Sequence, residues 1–371
     1  PLVFATLVSG IAQMGDTAAL GRIGARSIGW FICASLLSLT LGLVLVNIFQ
    51  PGVGVNLPLP PATAGTGLET SAFNLKDFIS HIFPTSMVDA MAKNEILQIV
   101  IFSLFVGVAI TAVGEKAKPL VGAIDALVHV MLQITDYVMR FAPFAVFAAL
   151  ASVIAVRGFG IVITYAALMS EFYLGLLVLW TILFGMCALV LRKRALILAR
   201  YIREPVILAF STASSESALP RLFEQLDRFG VPRRISGFVL PLGYSFNLDG
   251  SMMYTSFATM FIAQAYGIHL SIGQQIAMLL TLMVTSKGIA AVPRASLVVI
   301  AATLTQFGLP VEGIALILGV DTFLDMGRTA TNVVGNAVAT AVITKWEGML
   351  QPLRDPDAPL AEAPHDTPEH G

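Results

Sequence analysis

The chain has 371 residues, of which 56% are apolar and only 12% are charged, and its mean hydropathy is +0.82. This composition excludes an ordinary soluble domain and is typical of a protein that lies in lipid. The formal net charge of -1 provides no basic field for binding nucleic acid. Cys33 and Cys187 both lie in apolar stretches, which favours two buried small hydrophobes over a disulfide or a metal pair.

The apolar segments predict an all-α protein that crosses the membrane several times. A crossing helix needs about 20 apolar residues, and segments of about this length or longer are found at 28–49, 95–113, 119–155, 161–191, 236–266 and 311–345. A further apolar run ends near Met14. Because the chain begins at Pro1 inside this run, we expect residues 1–14 to be the remnant of a longer segment.

The basic residues predict the orientation. Most of them lie in connections that can share one side of the membrane: Arg22, Arg26, Lys116, Lys118, Arg192, Lys193, Arg194, Arg200, Arg203, Arg221, Arg228, Arg233, Arg234, Lys345 and Arg354. Only Lys76, Lys93 and Arg157 fall on the other side. The positive-inside rule therefore makes the basic side cytoplasmic, and with it the C-terminus. The tail at 350–371 is rich in Pro, Asp and Glu and is expected to be disordered.

Two segments contain polar breaks that predict helical hairpins. Residues 200–228 are flanked at both ends by basic clusters and are broken at the Ser-rich stretch 211–220, which indicates a re-entrant hairpin. Residues 274–307 are broken at 286–296, and both of their ends fall on the extracellular side. Two hairpins that enter from opposite faces indicate inverted repeats that meet at the membrane midplane, where secondary transporters bind their substrates.

The last apolar segment carries a polar stripe. Asp321, Asp325, Arg328, Asn332 and Asn336 are spaced four, three, four and four residues apart, which places them on one helix face. A charge at the bilayer centre costs about 2.5 to 3.5 kcal/mol, so three charges within two turns require partners, a cavity or a ligand. The alternative is a structural Asp–Arg pair that ties helices together.

A second polar cluster, Gly243 to Ser251, interrupts the segment 236–266. Its Gly, Asn and Asp residues favour local unwinding, which frees backbone carbonyls beside side-chain oxygens. Oxygens in this arrangement are suited to binding a cation. A kink filled by water would show the same pattern, and that alternative stays open.

Arg328 and Asp325 indicate the chemistry of the substrate. The guanidinium of Arg328 is suited to bidentate binding of a carboxylate, and Asp325, one turn away, can accept an ammonium group. A zwitterion with an additional carboxylate satisfies both residues. The hydroxyls and backbone amides at the hairpin tips provide a place for its second carboxylate.

These motifs resemble those of the dicarboxylate/amino acid:cation symporter family, which includes excitatory amino acid transporters and bacterial proton/glutamate and C4-dicarboxylate carriers. The resemblance covers nearly the whole chain and rests on the hairpin tip at 211–220, the motif at 247–251, the tip at 292–296 and the stripe at 321–336. It implies an all-α membrane transporter of eight helices with two re-entrant helical hairpins and inverted repeats, which forms a homotrimer and works by an elevator mechanism.

The resemblance also divides the chain into two bodies. A fixed scaffold would contain residues 1–14 as part of the second helix and 95–155 as the fourth and fifth helices, while 50–94 would form an extracellular loop. A moving transport domain would contain the third helix at 28–49, the sixth at 161–191, the first hairpin at 200–228, the seventh helix at 236–266, the second hairpin at 274–307 and the eighth helix at 311–345.

The family pattern assigns roles to individual residues. By resemblance, Arg328 binds the side-chain carboxylate of the substrate with help from Ser251, and Asp325 binds its amino group. The other implied substrate contacts are Thr329, Asn332, Ser215, Ala213, Val292 and Ser296. The implied cation-binding residues are Asn247, Asp249, Asn332, Asn336 and Asp321, with the carbonyls of Gly243, Ser245, Ser286 and Ile289. No cofactor is implied beyond the coupling ion, and the expected partners are the substrate, membrane lipid and further copies of the chain.

Departures from the family pattern bear on the coupling ion. Asn336 stands where sodium-coupled members carry an aspartate, and Phe31 and Ala34 stand at usual tyrosine and threonine ligand positions. An amide lacks the full negative charge that offsets the desolvation of an ion, so these changes favour H+ over Na+. Thr255 occupies the position of a glutamate in the animal transporters, which argues against their potassium-coupled return step.

The resulting hypothesis is a symporter for L-glutamate or L-aspartate in the bacterial inner membrane. A C4-dicarboxylate symporter is the main alternative, although those carriers have a serine where this chain has Asp325. An anion channel could use the same Arg and Ser residues, but a pore cannot concentrate its substrate. An intramembrane hydrolase that uses Ser214 or Ser215 is remote, because the sequence has neither an HExxH nor a GxSxG motif.

Overall fold

A computed structural model describes residues 1–14, 17–53, 83–93, 95–141, 144, 147, 148, 151, 155, 165–286 and 295–354. Every regular element in these ranges is helical. The α-helices discussed below are α1 (Leu2–Met14), α2 (Thr17–Phe49), α3 (Met87–Ala92), α4 (Ile96–Val113), α5 (Lys118–Met139), α6 (Ala166–Leu191), α7 (Arg194–Thr212), α8 (Ser215–Phe229), α9 (Arg233–Phe246), α10 (Asp249–Ala265), α11 (Ile272–Thr285), α12 (Ala295–Gln306), α13 (Ile314–Leu318) and α14 (Asp321–Trp346).

The helices include stretches suited to crossing a membrane. In the described part of the chain, three are long and apolar enough by length and composition: Ala19–Phe49, Gln98–Ile134 and Ala166–Leu191. The second stretch runs through α4, the 3-10 helix Gly114–Ala117 and α5. α11 and most of α1 and α12 are shorter apolar helices. This architecture agrees with the predicted all-α membrane protein.

Several helix boundaries differ from the predicted segments. α2 begins at Thr17 rather than at residue 28, because Arg22 and Arg26 remain in the helix and bind the Glu347 carboxylate. α5 ends at Met139, and a turn at 140–141 breaks the predicted segment 119–155. These boundaries depend on contacts that are distant in sequence, which the hydropathy of a segment does not report.

The predicted loop and tail both contain ordered parts. The loop 50–94 includes α3, whose N-terminus is capped by Ser86: its Oγ accepts a hydrogen bond from the Asp89 amide at 3.4 Å. The first residues of the tail predicted at 350–371 are hydrogen-bonded to the end of α8. Residues 54–82 and 355–371 lie outside the described residues.

Two pairs of helices lie at the positions of the predicted hairpins, and two further helices meet at the predicted helix break. α7 and α8 meet at Ala213 and Ser214, where Ala213 adopts a left-handed conformation with φ of 48°. Ser214 caps α8, because its Oγ accepts a hydrogen bond from the Ser217 amide at 3.3 Å. α11 and α12 contact one another at the position of the second predicted hairpin, and residues 287–294, where its tip is predicted, lie outside the described residues. α9 and α10 are separated by Asn247 and Leu248, inside the segment 236–266.

Buried apolar side chains form two clusters. The larger one extends over α1 to α4 and α6 to α14 and surrounds the polar residues described below. The smaller one contains Val8 of α1 with Ile110 of α4 and Ile124 of α5. Leu7 and Ile11, on another face of α1, belong to the larger cluster. α1 and α4 therefore both contribute to the two clusters, whereas the described residues of α5 contribute buried side chains only to the smaller one.

Candidate functional site

Arg328 lies at the centre of a buried charged network on α14. Its Nη1 donates to Asp321 Oδ1 at 2.9 Å, and its Nε donates to Asp325 Oδ1 at 2.7 Å. The guanidinium also lies over the Tyr254 ring, 4.4 Å from the ring centroid, and the Tyr254 hydroxyl donates to Asp321 Oδ1 at 2.9 Å. A charge buried at this depth requires partners, and the network supplies two carboxylates and an aromatic face.

The two carboxylates that bind Arg328 differ in access. The Asp325 side chain is 34% exposed, whereas those of Asp321 and Arg328 are 9% and 4% exposed. Asp321 accepts hydrogen bonds from Arg328 and Tyr254. Asp325 accepts hydrogen bonds from Arg328 and from Thr329, whose Oγ1 donates at 3.2 Å. Asp321 is thus a buried partner that fixes the guanidinium, and Asp325 is the carboxylate that a ligand can reach.

Asn332 joins α14 to the beginning of α10. Its Oδ1 accepts from the amides of Gly250 at 2.9 Å and Ser251 at 3.2 Å, and its Nδ2 donates to Ser251 Oγ at 3.1 Å. The first amides of a helix have no partner within the helix, so Asn332 acts as their cap. Gly250 permits this approach, because a Cβ there would collide with the Arg328 carbonyl.

The first hairpin tip is tied to α9. The Tyr244 hydroxyl donates to the Ser215 carbonyl at 3.0 Å, and the Thr212 and Ser217 hydroxyls share a hydrogen bond of 2.7 Å. Ala213 lies at the turn itself. Of the residues predicted in the second hairpin, Ser286 and Ser296 are buried on either side of the tip, and Ile289 and Val292 lie outside the described residues.

A second polar cluster surrounds the break between α9 and α10. Asn247 Nδ2 donates to Asp249 Oδ2 at 3.1 Å, and the Asn247 amide donates to the Gly243 carbonyl at 2.7 Å. Both Asn247 and Asp249 are fully buried. Gly335 of α14 lets Asp249 approach, because a Cβ there would collide with its carboxylate. Ser38 of α2, which the sequence analysis missed, donates to Asp249 Oδ1 at 3.4 Å.

Among the described residues, this cluster contains buried polar atoms without a hydrogen-bond partner: Ser245 Oγ, Asn247 Oδ1, Asn336 Oδ1 and Asn336 Nδ2. Asn336 Oδ1 lies against Gly243, where a Cβ would collide with it. Leaving such atoms unpaired costs about 1–3 kcal/mol each, which a bound ion or a polar ligand would offset. The oxygens and the nearby carboxylate of Asp249 therefore suit a cation better than an anion.

α2 contributes apolar side chains to the same region. Phe31 and Ala34 are buried, and the Phe31 Cζ is 3.4 Å from the position that a Cβ would take at Gly243. The ring thus lies beside Asn336 and adds no ligand oxygen. Asp321, by contrast, is fifteen residues from Asn336 on the same helix, roughly 22 Å along its axis, and its binding of a cation stays a prediction.

Comparison with known proteins gives a family match over most of the chain. Residues 1–346 match the model of the sodium:dicarboxylate symporter family. The chain belongs to this family. Membership makes it a multi-pass membrane transporter rather than an enzyme, as the sequence motifs predicted.

Similar family members differ in their named substrates. The chain is 44% identical to the proton/glutamate-aspartate symporter of Escherichia coli strain K12, over 94% of the chain and 81% of that relative. It is 39% identical to the proton/sodium-glutamate symport protein of Bacillus subtilis strain 168, over 95% of the chain and 84% of that relative. It is 40% identical to the C4-dicarboxylate transport protein of Laribacter hongkongensis strain HLHK9, over all of the chain and 85% of that relative.

Proposed function

We propose that this protein is a secondary active symporter that takes up L-glutamate or L-aspartate together with H+ or Na+. The observation that carries the proposal is the pairing of buried Arg328 with Asp325, the more accessible of its two carboxylate partners. A substrate carboxylate takes the Nε position that Asp325 occupies, and Asp325 then accepts the substrate ammonium group. Asp321 keeps Arg328 in place throughout this exchange.

The remaining contacts fit the two carboxylates and the amino group of the substrate. Thr329 Oγ1 lies beside Asp325, and Ser251 Oγ lies beside Asn332. Both hydroxyls can donate a hydrogen bond to a substrate carboxylate. The Asn332 amide, Ser215 and the backbone of Ala213, Val292 and Ser296 complete the proposed substrate site.

Charge explains why a cation must accompany the substrate. Asp321, Asp325 and Arg328 together carry a formal charge of -1, and an acidic amino acid adds a further -1. Moving this excess into a low-dielectric site is costly unless cations or protons neutralise it. We place the cation beside Asn247, Asp249 and Asn336, with the carbonyls of Gly243, Ser245, Ser286 and Ile289 as further proposed ligands.

The neutral Asn336 and the apolar Phe31 and Ala34 favour H+ as the coupling ion. The relative of Escherichia coli is named for protons, whereas that of Bacillus subtilis is named for protons and sodium. The cluster around Asp249 supports either ion, because Asp249 can bind a proton or ligate sodium. The proposal for this chain is therefore proton coupling, with sodium coupling as the second candidate.

A C4-dicarboxylate symporter is the alternative substrate assignment. It is favoured by the relative of Laribacter hongkongensis, which is about as similar to the chain as the sodium-coupled glutamate carrier. A C4-dicarboxylate has no ammonium group to place against Asp325. Its second carboxylate would instead face an acidic side chain, which opposes binding.

The family resemblance supplies the remaining proposals. We infer an elevator mechanism in which α1, α4 and α5 belong to a fixed scaffold and α2, α6 to α12 and α14 move with the substrate. We further infer a homotrimer in the bacterial inner membrane, with hairpins that are re-entrant and a cytoplasmic C-terminus.

The proposed function is tested by uptake of radiolabelled L-glutamate into proteoliposomes that contain the full-length protein. An imposed proton gradient without sodium is expected to drive accumulation above the external concentration. Accumulation of succinate but not of glutamate or aspartate would refute the amino acid assignment. Strict dependence on sodium would refute proton coupling, and equilibration without accumulation would refute secondary active transport.

A further inference from the structure

The segment that follows α14 is bound to the base of the first hairpin. The Gln351 amide donates to the Gly230 carbonyl at 2.9 Å, and the Arg354 amide donates to the Arg228 carbonyl at 2.8 Å. The Tyr201 hydroxyl of α7 donates to the Arg354 carbonyl. The last described residues of the chain thus contact both arms of the hairpin, at the end remote from its tip.

Side chains reinforce this attachment. Arg194, the first residue of α7, donates through Nη2 to the Phe229 carbonyl at 3.2 Å and to the Gln351 carbonyl at 2.8 Å. Arg354 lies 3.5 Å from Asp227 of α8. The Arg194 guanidinium therefore binds the end of α8 and the segment after α14 at the same time.

Glu347 ties the same segment to α2. Its side chain is only 1% exposed, and its two carboxylate oxygens bind Arg22 at 3.0 Å and Arg26 at 2.7 Å. Arg26 also donates to the Trp346 carbonyl at 2.8 Å, and the rings of Trp30 and Trp346 meet edge to face at 5.7 Å. The end of α14 is consequently fixed in position before the chain reaches the hairpin.

Gly230 marks the point of closest approach. Its φ of 100° lies in the left-handed region, and a Cβ there would collide with the Gln351 carbonyl. Any side chain would therefore both strain the backbone and push residues 347–354 away from α8. The position requires glycine for the contact as well as for the helix end.

We propose that residues 347–354 form a brace that fixes the first hairpin to α14, and that Glu347 and Gly230 are positioning residues for substrate binding. α8 runs roughly 21 Å from its base to Ser215, and α14 runs roughly 28 Å from Glu347 to Arg328. Over such lengths, a small rotation at the base becomes a displacement of the tip. When the C-terminal end of α8 is fixed to the C-terminal end of α14, the tip of the first hairpin stays at one distance from Arg328.

The proposal rests on the proposed function for its kinetic readout. If the hairpin tip is in the binding position in only a fraction of the molecules, the apparent affinity for the substrate is multiplied by that fraction. Loss of the brace is therefore expected to raise the KM for L-glutamate by about tenfold, with a smaller effect on the maximal rate per folded molecule. A purely structural role would instead reduce the amount of folded protein and leave KM unchanged.

Two pairs of variants test the brace in the full-length protein. Truncation after Gly348 removes the contacts to the hairpin, whereas truncation after Arg354 removes only the residues that follow them. Gly230 and Gly267 both have a left-handed φ, so either substitution by Ala places a side chain on a strained backbone. Gly230→Ala also causes the collision with Gln351, whereas no atom of the described residues lies within 4 Å of a Cβ added at Gly267. The first member of each pair is expected to raise KM by about tenfold and the second to leave it near wild type.

A distance measurement keeps the test independent of transport. Spin labels at Ile207 of α7 and Leu177 of α6, both exposed, report the hairpin position by double electron–electron resonance in a background without Cys33 and Cys187. We expect a narrow distribution that broadens on truncation after Gly348 but not after Arg354. The brace is refuted if truncation after Gly348 changes neither the distance distribution nor the KM. If the wild type takes up no glutamate but truncation after Gly348 still broadens the distribution, only the proposed function is refuted.

Discussion

Asp325→Asn is the sharpest test of the substrate assignment, because it preserves shape and removes one charge. Asp325 Oδ1 accepts a hydrogen bond from Arg328 Nε at 2.7 Å, and Asp325 is the more exposed of the two carboxylates. A hydrogen bond to a charged group contributes about 1.5–3 kcal/mol. Because the Asp325 side chain is 34% exposed, solvent screening places the loss near the lower end of that range. A loss of about 1.5 kcal/mol corresponds to roughly a tenfold rise in the KM for L-glutamate.

Succinate provides the internal comparison for this variant. It lacks the ammonium group that Asp325 is proposed to bind, and its second carboxylate is repelled by the Asp325 charge. The KM or inhibition constant of succinate is therefore expected to stay the same or to fall in Asp325→Asn. Competitive inhibition of labelled glutamate uptake in proteoliposomes measures both ligands in one preparation.

Asp321→Asn is the matched control. Asp321 binds the same guanidinium but is only 9% exposed and also accepts from Tyr254. Its loss should weaken glutamate and succinate together, because it disturbs Arg328 rather than the ammonium site. The reasoning would be refuted if Asp325→Asn weakened both ligands equally, since Asp325 would then act only as a structural partner of Arg328.

Further predictions concern the network and the cation cluster. Tyr254→Phe keeps the ring under Arg328 but removes about 1 kcal/mol of hydrogen bonding to Asp321, so uptake assays should show KM rising roughly fivefold for all substrates. Asn336→Asp adds a charge beside unpaired buried atoms, and sodium titration at constant pH should reveal sodium-stimulated uptake; no stimulation would mean that the amide is not what limits sodium binding. Asn332→Ala removes the cap on Gly250 and Ser251 and should make the affinity for glutamate insensitive to the coupling cation in equilibrium binding; a retained dependence would contradict a role in coupling.

The sequence predicted the polar stripe of α14 because helix periodicity alone determines which residues share a face. It did not predict which of the two carboxylates is the more buried partner of Arg328, since the burial of Asp321 depends on Tyr254 from α10. Ser38 was missed for a similar reason. Nothing in the apolar and hydroxyl pattern of α2 indicates that this serine contacts Asp249.

Contacts between residues far apart in the sequence account for the differences at the start of α2 and after the end of α14. Arg22 and Arg26 appeared to precede the segment 28–49, yet both lie within α2 because Glu347 neutralises them. The composition of 350–371 predicted disorder, but the backbone groups of Gln351 and Arg354 find partners at the end of α8. A local composition rule does not detect a partner that lies more than a hundred residues away.

The arrangement along α14 offers a physical route for coupling between substrate and cation. Arg328 and Asn336 lie eight residues apart, roughly 12 Å, and Asn332 lies midway between them. Asn332 holds the amides of Gly250 and Ser251, while the adjacent Asp249 belongs to the cation cluster. The first turn of α10 therefore contributes to both proposed sites. A cation that orders Asp249 also orders the amides and the hydroxyl that face the substrate, and linkage requires that the substrate strengthen cation binding by the same factor.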